Sequence, residues 1–359
     1  MRIAEVAPLI ESVPPQGYGG TEAVVSYLTE ELVREGHQVT LFASGDSQTS
    51  AELIPCSPRA LRLDDTVIDP LAHQVVELEA VAALAHRFDV IHWHLDYFPF
   101  PLGRRLGVPQ VTTLHGRLDI PDLQPVYTEF AEMPVVSISN DQRSPLPQAN
   151  WVATIHHGLP PDMLEPRYEP GEYLAFLGRI SPEKRADRAV EISRRTGLTL
   201  RVAAKVDADD REYYEREIEP MLKAAHVEFI GEIGPEDKAD FLAHASALLF
   251  PIDWAEPFGL VMIEAMACGT PVIAYRTGSV PEVISDGVNG FIVDDLDSSV
   301  EAVKRLGELD RHAVRKAFDD RFTVGRMARD YTALFDHLVA TGPPKERMAV
   351  PVMADKASV

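Results

Sequence analysis

Two glutamates in one short run are the residues of this chain best placed to do chemistry. Residues 254–264 read Trp-Ala-Glu-Pro-Phe-Gly-Leu-Val-Met-Ile-Glu, so Glu264 follows Glu256 by eight positions, with Gly259 between them. Gly259 opens a predicted helix, whose free first-turn amides and dipole favour an anion. Glu264 lies about one and a half turns into that helix, within reach of a polyol beside the anion. The run suits a nucleotide sugar, and a capped core helix with two solvated glutamates is the alternative.

The residues that follow carry a family resemblance. Ala265-Met266-Ala267-Cys268-Gly269-Thr270-Pro271-Val272-Ile273-Ala274 comes next, and then Gly278 and Pro281-Glu282-Val283. With the two glutamates, they resemble the donor-binding half of the retaining GT-B glycosyltransferases called family 4, whose motif has two glutamates separated by seven residues. The resemblance covers residues 1–338 and implies an α/β fold of the GT-B type. In that fold two Rossmann-like domains face each other across a cleft, and a C-terminal helix crosses back to the first domain.

The pattern along the chain agrees with such a division. Short β-branched runs alternate with amphipathic helical stretches, which is typical of parallel sheets. We expect an acceptor-binding domain over residues 1–160 and a nucleotide-sugar-binding domain over 161–325, since prolines crowd the junction between them. An apolar stripe predicts a helix over 326–340, and the resemblance implies that this helix crosses over to the first domain. Residues 341–359 are predicted to be a disordered tail. Residues 45–70 are predicted to be irregular.

Two cations follow the first strand of the predicted second domain. Gly178-Arg179-Ile180-Ser181-Pro182-Glu183-Lys184 places Arg179 and Lys184 at the C-terminal edge of a parallel sheet, where ligands bind. Across a strand–helix turn they could grip a diphosphate, and a solvated turn with two surface cations is the alternative. The diphosphate-binding Arg and Lys of the family fall on these positions. The resemblance therefore implies that they stabilise charge on the departing nucleoside diphosphate without a metal.

A glycine-rich loop joins the first predicted strand to the first helix. Gly17-Tyr18-Gly19-Gly20-Thr21 could approach a phosphate or a sugar closely. It lacks the last glycine of the GxGxxG fingerprint, which disfavours dinucleotide binding. The stretch from Pro14 resembles the donor and acceptor loop of one family-4 branch. The resemblance implies that Gly19 or Gly20 lies against the β-phosphate, and Tyr18 is a candidate acceptor contact.

Histidines near predicted strand ends form another candidate group. His115, in Thr113-Leu114-His115-Gly116, would by itself be read as a core residue, but it matches a family histidine that faces the transferred sugar. The resemblance implies a hydrogen bond to that sugar, at its 6-hydroxyl. His92 and His94 lie on one side of a strand. A metal pair is conceivable but no third ligand is evident, so packing or acceptor contact is favoured, and His94 is kept as an acceptor candidate.

The remaining assignments come from the resemblance. Arg143 could hold an anionic acceptor or a neighbouring carboxylate. Ile233, in Gly231-Glu232-Ile233, would bracket the base through its backbone, and Lys205 could line the same pocket. The backbone amides of the turn before the helix would contact the sugar or the diphosphate; they belong to Phe258, Gly259 and Leu260.

The resemblance also gives the two glutamates different roles. Glu256 would bind hydroxyls of the transferred sugar, and Glu264 would bind the ribose. Glu256 is not expected to be a nucleophile, because family-4 enzymes generally lack a well-placed one. The usual proposal is front-face attack, in which the leaving phosphate takes the proton of the acceptor and the anomeric configuration is retained.

The composition of the chain disfavours several classes of binding partner. The chain has 359 residues, of which 45% are hydrophobic and 25% charged, and this suits two ordinary globular domains. A net charge of −22 argues against nucleic acid and against docking on anionic lipid through a basic patch. The two cysteines, Cys56 and Cys268, fall in different predicted domains, which fits a reducing cytoplasm. No apolar run reaches the ~18 residues of a membrane span.

These observations predict a metal-independent, retaining hexosyltransferase in the cytoplasm, with peripheral contact to the inner membrane face left open. It would use a nucleoside-diphosphate sugar of the UDP-glucose or GDP-mannose type as a co-substrate, with no cofactor. The acceptor hydroxyl could belong to a saccharide, a lipid-linked sugar or a small molecule. The alternatives are a nucleotide-sugar epimerase or phosphorylase on the same architecture, and a non-catalytic nucleotide-sugar-binding protein.

Overall fold

Two parallel β-sheets form the framework of the computed structural model, which describes residues 1–17 and 19–344. The strands of the first sheet are β1 (Arg2–Val6), β2 (Gln38–Ser44), β3 (Glu52–Ser57), β4 (Val90–Trp93), β5 (Gln110–Thr113), β6 (Pro134–Ser137) and β7 (Asn150–Thr154). They pair in the order β3-β2-β1-β4-β5-β6-β7. The helices of this half are α1 (Gly20–Arg34), α2 (Pro70–Leu84), α3 (Phe100–Gly103) and α4 (Leu123–Glu129).

The second sheet has the same kind of strand order. Its strands are β8 (Tyr173–Arg179), β9 (Leu200–Lys205), β10 (Val227–Gly231), β11 (Ala245–Phe250), β12 (Val272–Tyr275) and β13 (Gly290–Val293), in the order β10-β9-β8-β11-β12-β13. The helices that follow are α5 (Ala186–Thr196), α6 (Arg211–Tyr213), α7 (Glu219–Leu222), α8 (Pro235–Ala243), α9 (Leu260–Ala267), α10 (Val280–Val283), α11 (Leu296–Lys304), α12 (Arg311–Arg321) and α13 (Val324–Thr341).

Alternate residues of the central strands enter two apolar cores, one on each face of the first sheet. Ile3 and Val90 pack with α1 and α13, whereas Ala4 and Ile91 pack with residues of α2. Side chains alternate between the faces of a strand, so a strand covered by helices on both faces reads as a continuous apolar run. This arrangement confirms the predicted α/β fold with two Rossmann-like domains.

Strand order places the ligand site. In each sheet the order reverses beside the first strand, between β1 and β4 and again between β8 and β11. The connections after these two neighbouring strands run to opposite faces of the sheet. They leave a crevice at the carboxyl ends of the strands, where ligands bind. Residues that follow β1, β4, β5, β8 and β11 are therefore the ones that can meet in one site.

The helix α13 returns to the first domain, as predicted. Its apolar stripe of Met327, Tyr331, Phe335 and Leu338 is buried, and it shares a core with Leu28 of α1. These spacings of three, four and seven place the side chains on one face of the helix. Each large side chain buried this way stabilises the fold by about 1.5–3 kcal/mol.

Several boundaries differ from the sequence prediction. Residues 45–70 contain β3, an edge strand whose Pro55 and half-exposed side chains hide it from the apolar pattern. The helix α13 extends two residues before and one beyond the predicted range 326–340. The division of the chain at 160 and 325 stays a prediction. Residues 345–359 of the predicted tail lie outside the described residues.

One carboxylate joins the two domains at the back of the cleft. Glu282 of α10 accepts hydrogen bonds from the amides of Asn140 at 2.8 Å and Asp141 at 2.9 Å, at the start of the short helix after β6. The ring of His156 lies 3.1 Å from the same carboxylate. A negative charge at free backbone amides is stabilising, so this contact favours the observed arrangement of the domains.

No helix within residues 1–17 and 19–344 combines the length and the apolar character that a membrane span needs.

Candidate active site

A cavity of about 620 Å³ lies between the domains at the carboxyl ends of the strands. The first domain contributes the glycine loop, Tyr27 and His115, and the second contributes the ends of β8, β9 and β11 and the start of α9. The two sides are in close approach, because a Cβ atom on Gly20 would lie 3.6 Å from Leu260 Cδ1. The cavity is therefore shared by both domains, as a site that joins two substrates requires.

All residues predicted for catalysis or donor binding line this cavity. They are Gly19, Gly20, His115, Arg179, Lys184, Ile233, Glu256, Phe258, Gly259, Leu260 and Glu264. Lys205, which the resemblance placed beside the base, lines it as well. The structure thus brings together residues from distant parts of the chain, while their individual roles stay predictions.

The acceptor candidates are placed differently. Tyr18 lies outside the described residues. Arg143 does not line the cavity: its Nε donates to Ser137 Oγ at 2.9 Å and its guanidinium lies 5.4 Å from the ring centroid of Trp151. His94 is buried and contacts the cavity only through His115. Direct acceptor contact by His94 or Arg143 stays a prediction that this geometry does not support.

The start of α9 has the predicted form. Gly259 precedes the helix with φ of 79°, a left-handed conformation that favours glycine. A Cβ atom there would lie 2.9 Å from Met262 Cε and 3.0 Å from Phe250 Cζ. Met262 N donates to Gly259 O at 3.0 Å, so the amides that precede Met262 at the start of α9, together with the helix dipole, can bind an anion in the cavity.

Glu256 forms an ion pair with Lys184 across the cavity wall. The Nζ of Lys184 bonds to Oε2 of Glu256, and Trp254 Nε1 donates to the same oxygen at 3.0 Å. The Lys184 ammonium also lies 5.2 Å from the Trp254 ring centroid, within the range of a cation–π contact. The cation predicted for the diphosphate and the carboxylate predicted for the sugar are therefore direct neighbours.

The backbone of Glu256 is held by the turn after β12. Gly278 has φ of 54°, and a Cβ atom there would lie 2.4 Å from Glu256 N and 2.6 Å from Glu256 O. The next residue, Ser279, donates its amide to Glu256 O at 3.0 Å and its hydroxyl to Phe258 O at 2.7 Å. Only glycine leaves room for this approach, which explains Gly278 in the family motif.

Arg179 and Lys205 end neighbouring strands and face each other in register. Arg179 pairs with Glu183 at 2.7 Å and lies 3.6 Å from both Asp207 and Asp210. Lys205 lies 3.1 Å from Asp207. An anionic ligand at this edge would therefore compete with carboxylates for the two cations, and Arg179 offers several N–H groups that can be shared.

Lys238 was not predicted. Its Nζ lies 2.8 Å from Oε1 of Glu264, the predicted ribose contact, and it lines the cavity. It lies in the first half of α8, the helix that follows Gly231-Glu232-Ile233. The sequence shows this position of Lys238 along the chain. It does not show the contact with Glu264, because that contact depends on how α8 packs against α9.

Four side chains near β1, β4 and β5 form a buried hydrogen-bond network. Glu5 Oε2 lies 2.8 Å from His94 Nε2, and His94 Nδ1 lies 2.8 Å from His115 Nε2. His92 Nδ1 lies 3.1 Å from Glu5 Oε1. Burial lowers the pKa of His92 and of His94 to about 3, so both rings are neutral near pH 7. Burial also raises the pKa of Glu5, while the hydrogen bond with His94 lowers it.

The sequence showed no third ligand for a metal at His92 and His94, but the structure supplies Glu5. Ligand atoms of the three residues lie within 4.8 Å of one another. Their contacts have hydrogen-bond lengths, and the remaining nitrogens are taken, since His92 Nε2 bonds to Thr113 Oγ1 at 2.8 Å and His94 Nδ1 bonds to His115. The donor set is arranged as a hydrogen-bond network rather than as an open coordination site.

His157 is a further residue that sequence reasoning missed. It lines the cavity, and its ring stacks on His115 with centroids 5.3 Å apart. It also makes an edge contact with Phe258, with centroids 5.0 Å apart. His157 thus holds the His115 ring from the side of the domain junction, next to the turn that precedes α9.

Comparisons with known proteins identify the family of this chain. The family model described as Glycosyltransferase Family 4 matches residues 18–210, and the one described as Glycosyl transferases group 1 matches residues 165–319. A D-inositol 3-phosphate glycosyltransferase of Rhodococcus erythropolis (strain PR4) is 27% identical, and the match covers 90% of this chain and 89% of that relative.

Solved structures share the fold. A sucrose-phosphate synthase from Thermosynechococcus elongatus has a TM-score of 0.76 at 21% identity, with 95% of this chain and 100% of that chain covered. HepE from Anabaena, solved in complex with UDP-glucose, has a TM-score of 0.70 at 17% identity and covers 94% and 100%. Since the family 4 model alone matches more than half of the sequence, the chain is a glycosyltransferase that belongs to family 4.

Proposed function

We propose that this glycosyltransferase moves a hexosyl group from a nucleoside-diphosphate sugar to an acceptor hydroxyl, with retention at the anomeric carbon. The observation that carries the proposal is the cavity itself, in which the start of α9 and two cations lie beside Glu256 and Glu264. A bound diphosphate needs a helix start and cations, and sugar hydroxyls need carboxylates that accept hydrogen bonds. The UDP-glucose complex of HepE supports a donor of the UDP-glucose type, and a donor of the GDP-mannose type is the alternative.

The sugar donor would lie along the edge of the second sheet. The diphosphate would contact the first-turn amides of α9 together with Arg179 and Lys184, because an anion is favoured at a helix N-terminus. The ribose would bind Glu264, and the base would lie beside the backbone of Ile233. In this arrangement Glu256 reaches the transferred sugar, since it already lies beside Lys184.

The reaction follows from these contacts. The acceptor oxygen bonds to the anomeric carbon while the bond from that carbon to the β-phosphate oxygen breaks. The leaving nucleoside diphosphate gains negative charge, which Arg179, Lys184 and the α9 amides stabilise as fixed positive groups. The acceptor proton passes to the leaving phosphate oxygen. None of these steps requires a metal or a cofactor, and metal independence is part of the proposal.

The acceptor would enter from the first domain, beside the glycine loop and His115. A saccharide, a lipid-linked sugar and a small molecule are all compatible with a hydroxyl nucleophile. The name of the inositol-phosphate relative indicates one class to test, a phosphorylated polyol.

Epimerisation is less well supported than transfer. It needs an acid and a base at the sugar that are both free to exchange a proton, and the carboxylate of Glu256 is already paired with Lys184. Product analysis without an acceptor separates the two reactions, because an epimerase converts the sugar donor alone.

The first test is a thermal-shift panel of nucleotide sugars with wild-type protein, Glu264→Ala and the control Glu228→Ala. Glu228 is exposed and pairs with Arg201 on a sheet edge outside the cavity. A ligand at a hundredfold excess over its Kd stabilises the folded state by about 2.7 kcal/mol. We expect a shift with one sugar nucleotide in wild type and Glu228→Ala that is lost in Glu264→Ala. No shift with any member of the panel would contradict the assigned donor site.

A further inference from the structure

We propose that Glu5 acts through His94 to set the tautomer of His115, so that His115 presents an unprotonated Nδ1 to the sugar in the cavity. His94 and Glu5 are then positioning residues, one and two hydrogen bonds removed from His115. The effect on sugar transfer rests on the proposed function, whereas the tautomer is a property of the folded chain.

The geometry forms a continuous path from a buried carboxylate to the cavity. Glu5 lies in the middle of β1, opposite His92 of β4, and is fully buried. Its Oε2 lies 2.8 Å from His94 Nε2, and His94 Nδ1 lies 2.8 Å from His115 Nε2. His115 lines the cavity, and within residues 1–17 and 19–344 its Nδ1 has no hydrogen-bond partner. That nitrogen is the end of the path that a ligand can reach.

The contacts of Glu5 indicate its ionisation state. His92 Nδ1 lies 3.1 Å from Oε1 and 3.0 Å from Oε2, so both oxygens are placed to accept from one N–H group. A carboxylate accepts at both oxygens, but a carboxylic acid carries a hydroxyl that donates. The symmetric contact therefore fits the ionised form, with His94 donating its Nε2–H to Oε2.

The direction of the remaining hydrogen bonds follows from the ionised state of Glu5. A neutral imidazole has one N–H group, so His94 with a proton on Nε2 has a lone pair on Nδ1. That lone pair accepts the Nε2–H of His115. His115 is also neutral, because burial lowers its pKa well below 6.5, and its single proton is on Nε2. Its Nδ1 is then a hydrogen-bond acceptor.

The other branch of the network agrees with the same direction. His92 uses its Nδ1–H for Glu5, so its Nε2 accepts from Thr113 Oγ1 at 2.8 Å. Thr113 Oγ1 in turn accepts from the hydroxyl of Tyr331 at 2.8 Å. His92 and Thr113 each make one donor and one acceptor contact in this branch, without conflict. Tyr331 belongs to α13, so the returning helix closes the branch.

The same helix shields the carboxylate from water. The rings of Tyr331 and Phe335 lie 4.7 Å and 5.3 Å from the ring of His92. In such a low-dielectric setting, hydrogen bonds polarise one another more strongly than in water. The negative charge of Glu5 therefore increases the electron density at His115 Nδ1, although Glu5 never contacts a ligand.

This arrangement would act on the transition state. Positive charge develops on the sugar ring as the bond to the leaving group breaks. A sugar hydroxyl that donates to His115 Nδ1 becomes a stronger donor as this charge grows, so the contact strengthens in the transition state. Loss of the Glu5 charge should therefore lower kcat more than it weakens binding of the sugar donor.

The direct test is NMR of ¹⁵N-histidine-labelled protein at pH 7.5, which distinguishes protonated from unprotonated ring nitrogens. The His115 signals are identified by their loss in His115→Asn. We expect wild-type His115 to be protonated on Nε2 and unprotonated on Nδ1. In Glu5→Gln the side-chain amide can donate to His94 Nε2, which reverses the path and moves the His115 proton to Nδ1.

The matched control is Glu77→Gln. Glu77 is another fully buried carboxylate of the first domain, and its oxygens have no hydrogen-bond partner among the described residues. It does not line the cavity. Its substitution should leave the His115 signals and kcat unchanged, so a general effect of replacing a buried carboxyl group by an amide is separated from an effect through His94.

The kinetic arm uses the same variants. We expect kcat of Glu5→Gln to fall by about tenfold to a hundredfold, by analogy with the loss of a hydrogen-bond partner behind a metal-bound histidine. The Kd of the sugar nucleotide should stay within about twofold, a split that loss of folding would not produce. Wild-type kcat in a folded Glu5→Gln variant would overturn the role in transfer.

Other outcomes are decisive without kinetics. A wild-type His115 protonated on Nδ1 would overturn the proposal even if no Glu5 variant folds. A stoichiometric metal found by elemental analysis of wild-type protein and lost in Glu5→Gln would also overturn it. If no sugar nucleotide is turned over, the proposed function fails while the NMR spectrum still decides the tautomer.

Discussion

Lys184 and Glu256 form an ion pair although 72 residues separate them in the chain. Both side chains are mostly buried in the cavity wall, so the attraction between them is only weakly screened. Lys184 therefore lies where it can contact a diphosphate and the carboxylate beside the sugar together. Under the proposed function, the pair would place the leaving group next to the sugar it leaves, which is the geometry that transfer needs.

Replacing Lys184 by Ala should lower kcat by about a hundredfold to a thousandfold, the range found when one preorganised charge-stabilising group is removed. Binding of the sugar donor should weaken as well, because Glu256 loses its counter-ion and repels the diphosphate. Steady-state kinetics and thermal shift with the identified donor would measure both effects. The control is Lys223→Ala, which removes an exposed lysine paired with Glu219. Unchanged turnover and donor affinity in Lys184→Ala would rule out the diphosphate role.

Replacing Gly278 by Ala should displace Glu256. The new Cβ atom would lie 2.4 Å from Glu256 N, so the backbone of the site must move. We expect more than about 1 kcal/mol of destabilisation and a marked loss of activity. Gly287→Ala is the matched control, since Gly287 has φ of +75° and no atom within 4 Å of the added Cβ. Equal losses of activity in the two variants would show that backbone strain at a positive φ, and not displacement of Glu256, causes the loss.

Replacing Glu282 by Gln should weaken the contact between the domains. Burial by itself would raise the pKa of Glu282, but hydrogen bonds from His156 and from the amides of Asn140 and Asp141 lower it to about 2. A carboxyl group with a lowered folded-state pKa stabilises the fold above its unfolded pKa of about 4.3, and this contribution is lost as pH falls toward 2.

Thermal unfolding from pH 7 to pH 3 would test this contact. The difference in Tm between wild type and Glu282→Gln should be constant above about pH 4.5 and shrink as the solution is acidified. Glu301→Gln, which changes an exposed partner of Lys304, should show no such difference. A Tm difference that stays the same size between pH 4.5 and pH 3 would contradict an electrostatic origin.

The buried histidines should make the protein sensitive to mild acid. Burial lowers the pKa of His92, His94 and His157 from 6.5 to about 3, so the unfolded state binds more protons than the folded state between these values. Stability should therefore fall as pH drops below about 6.5, partly offset by Glu5, whose raised pKa acts in the opposite direction.

Urea unfolding at a series of pH values would measure this dependence. The unfolding midpoint should be constant above pH 7 and decrease steeply from pH 6.5 toward pH 5. A midpoint that stays constant or rises over that interval would show that the histidines are accessible to protons in the folded state.

Much of the donor side of the site could be predicted from the sequence because it is local. The start of α9, the left-handed Gly259 and the position of Glu264 on that helix follow from spacing along one short segment. Helical periodicity decides which residues share a face of one element. The parallel sheets were likewise predictable, since strands covered on both faces leave continuous apolar runs in the sequence.

Only the tertiary structure decided which elements meet. The contacts of Lys238 with Glu264 and of Glu5 with His94 depend on strand register and helix packing, and in the second pair 89 residues separate the partners. The edge strand β3 escaped prediction because an exposed strand has no continuous apolar run. Acceptor contact by Arg143 and His94 was predicted from position alone and stays a prediction, since burial and the direction of a side chain depend on its neighbours in space. Spacing along the chain determines local conformation, whereas a contact between distant residues exists only once the sheets have formed and packed.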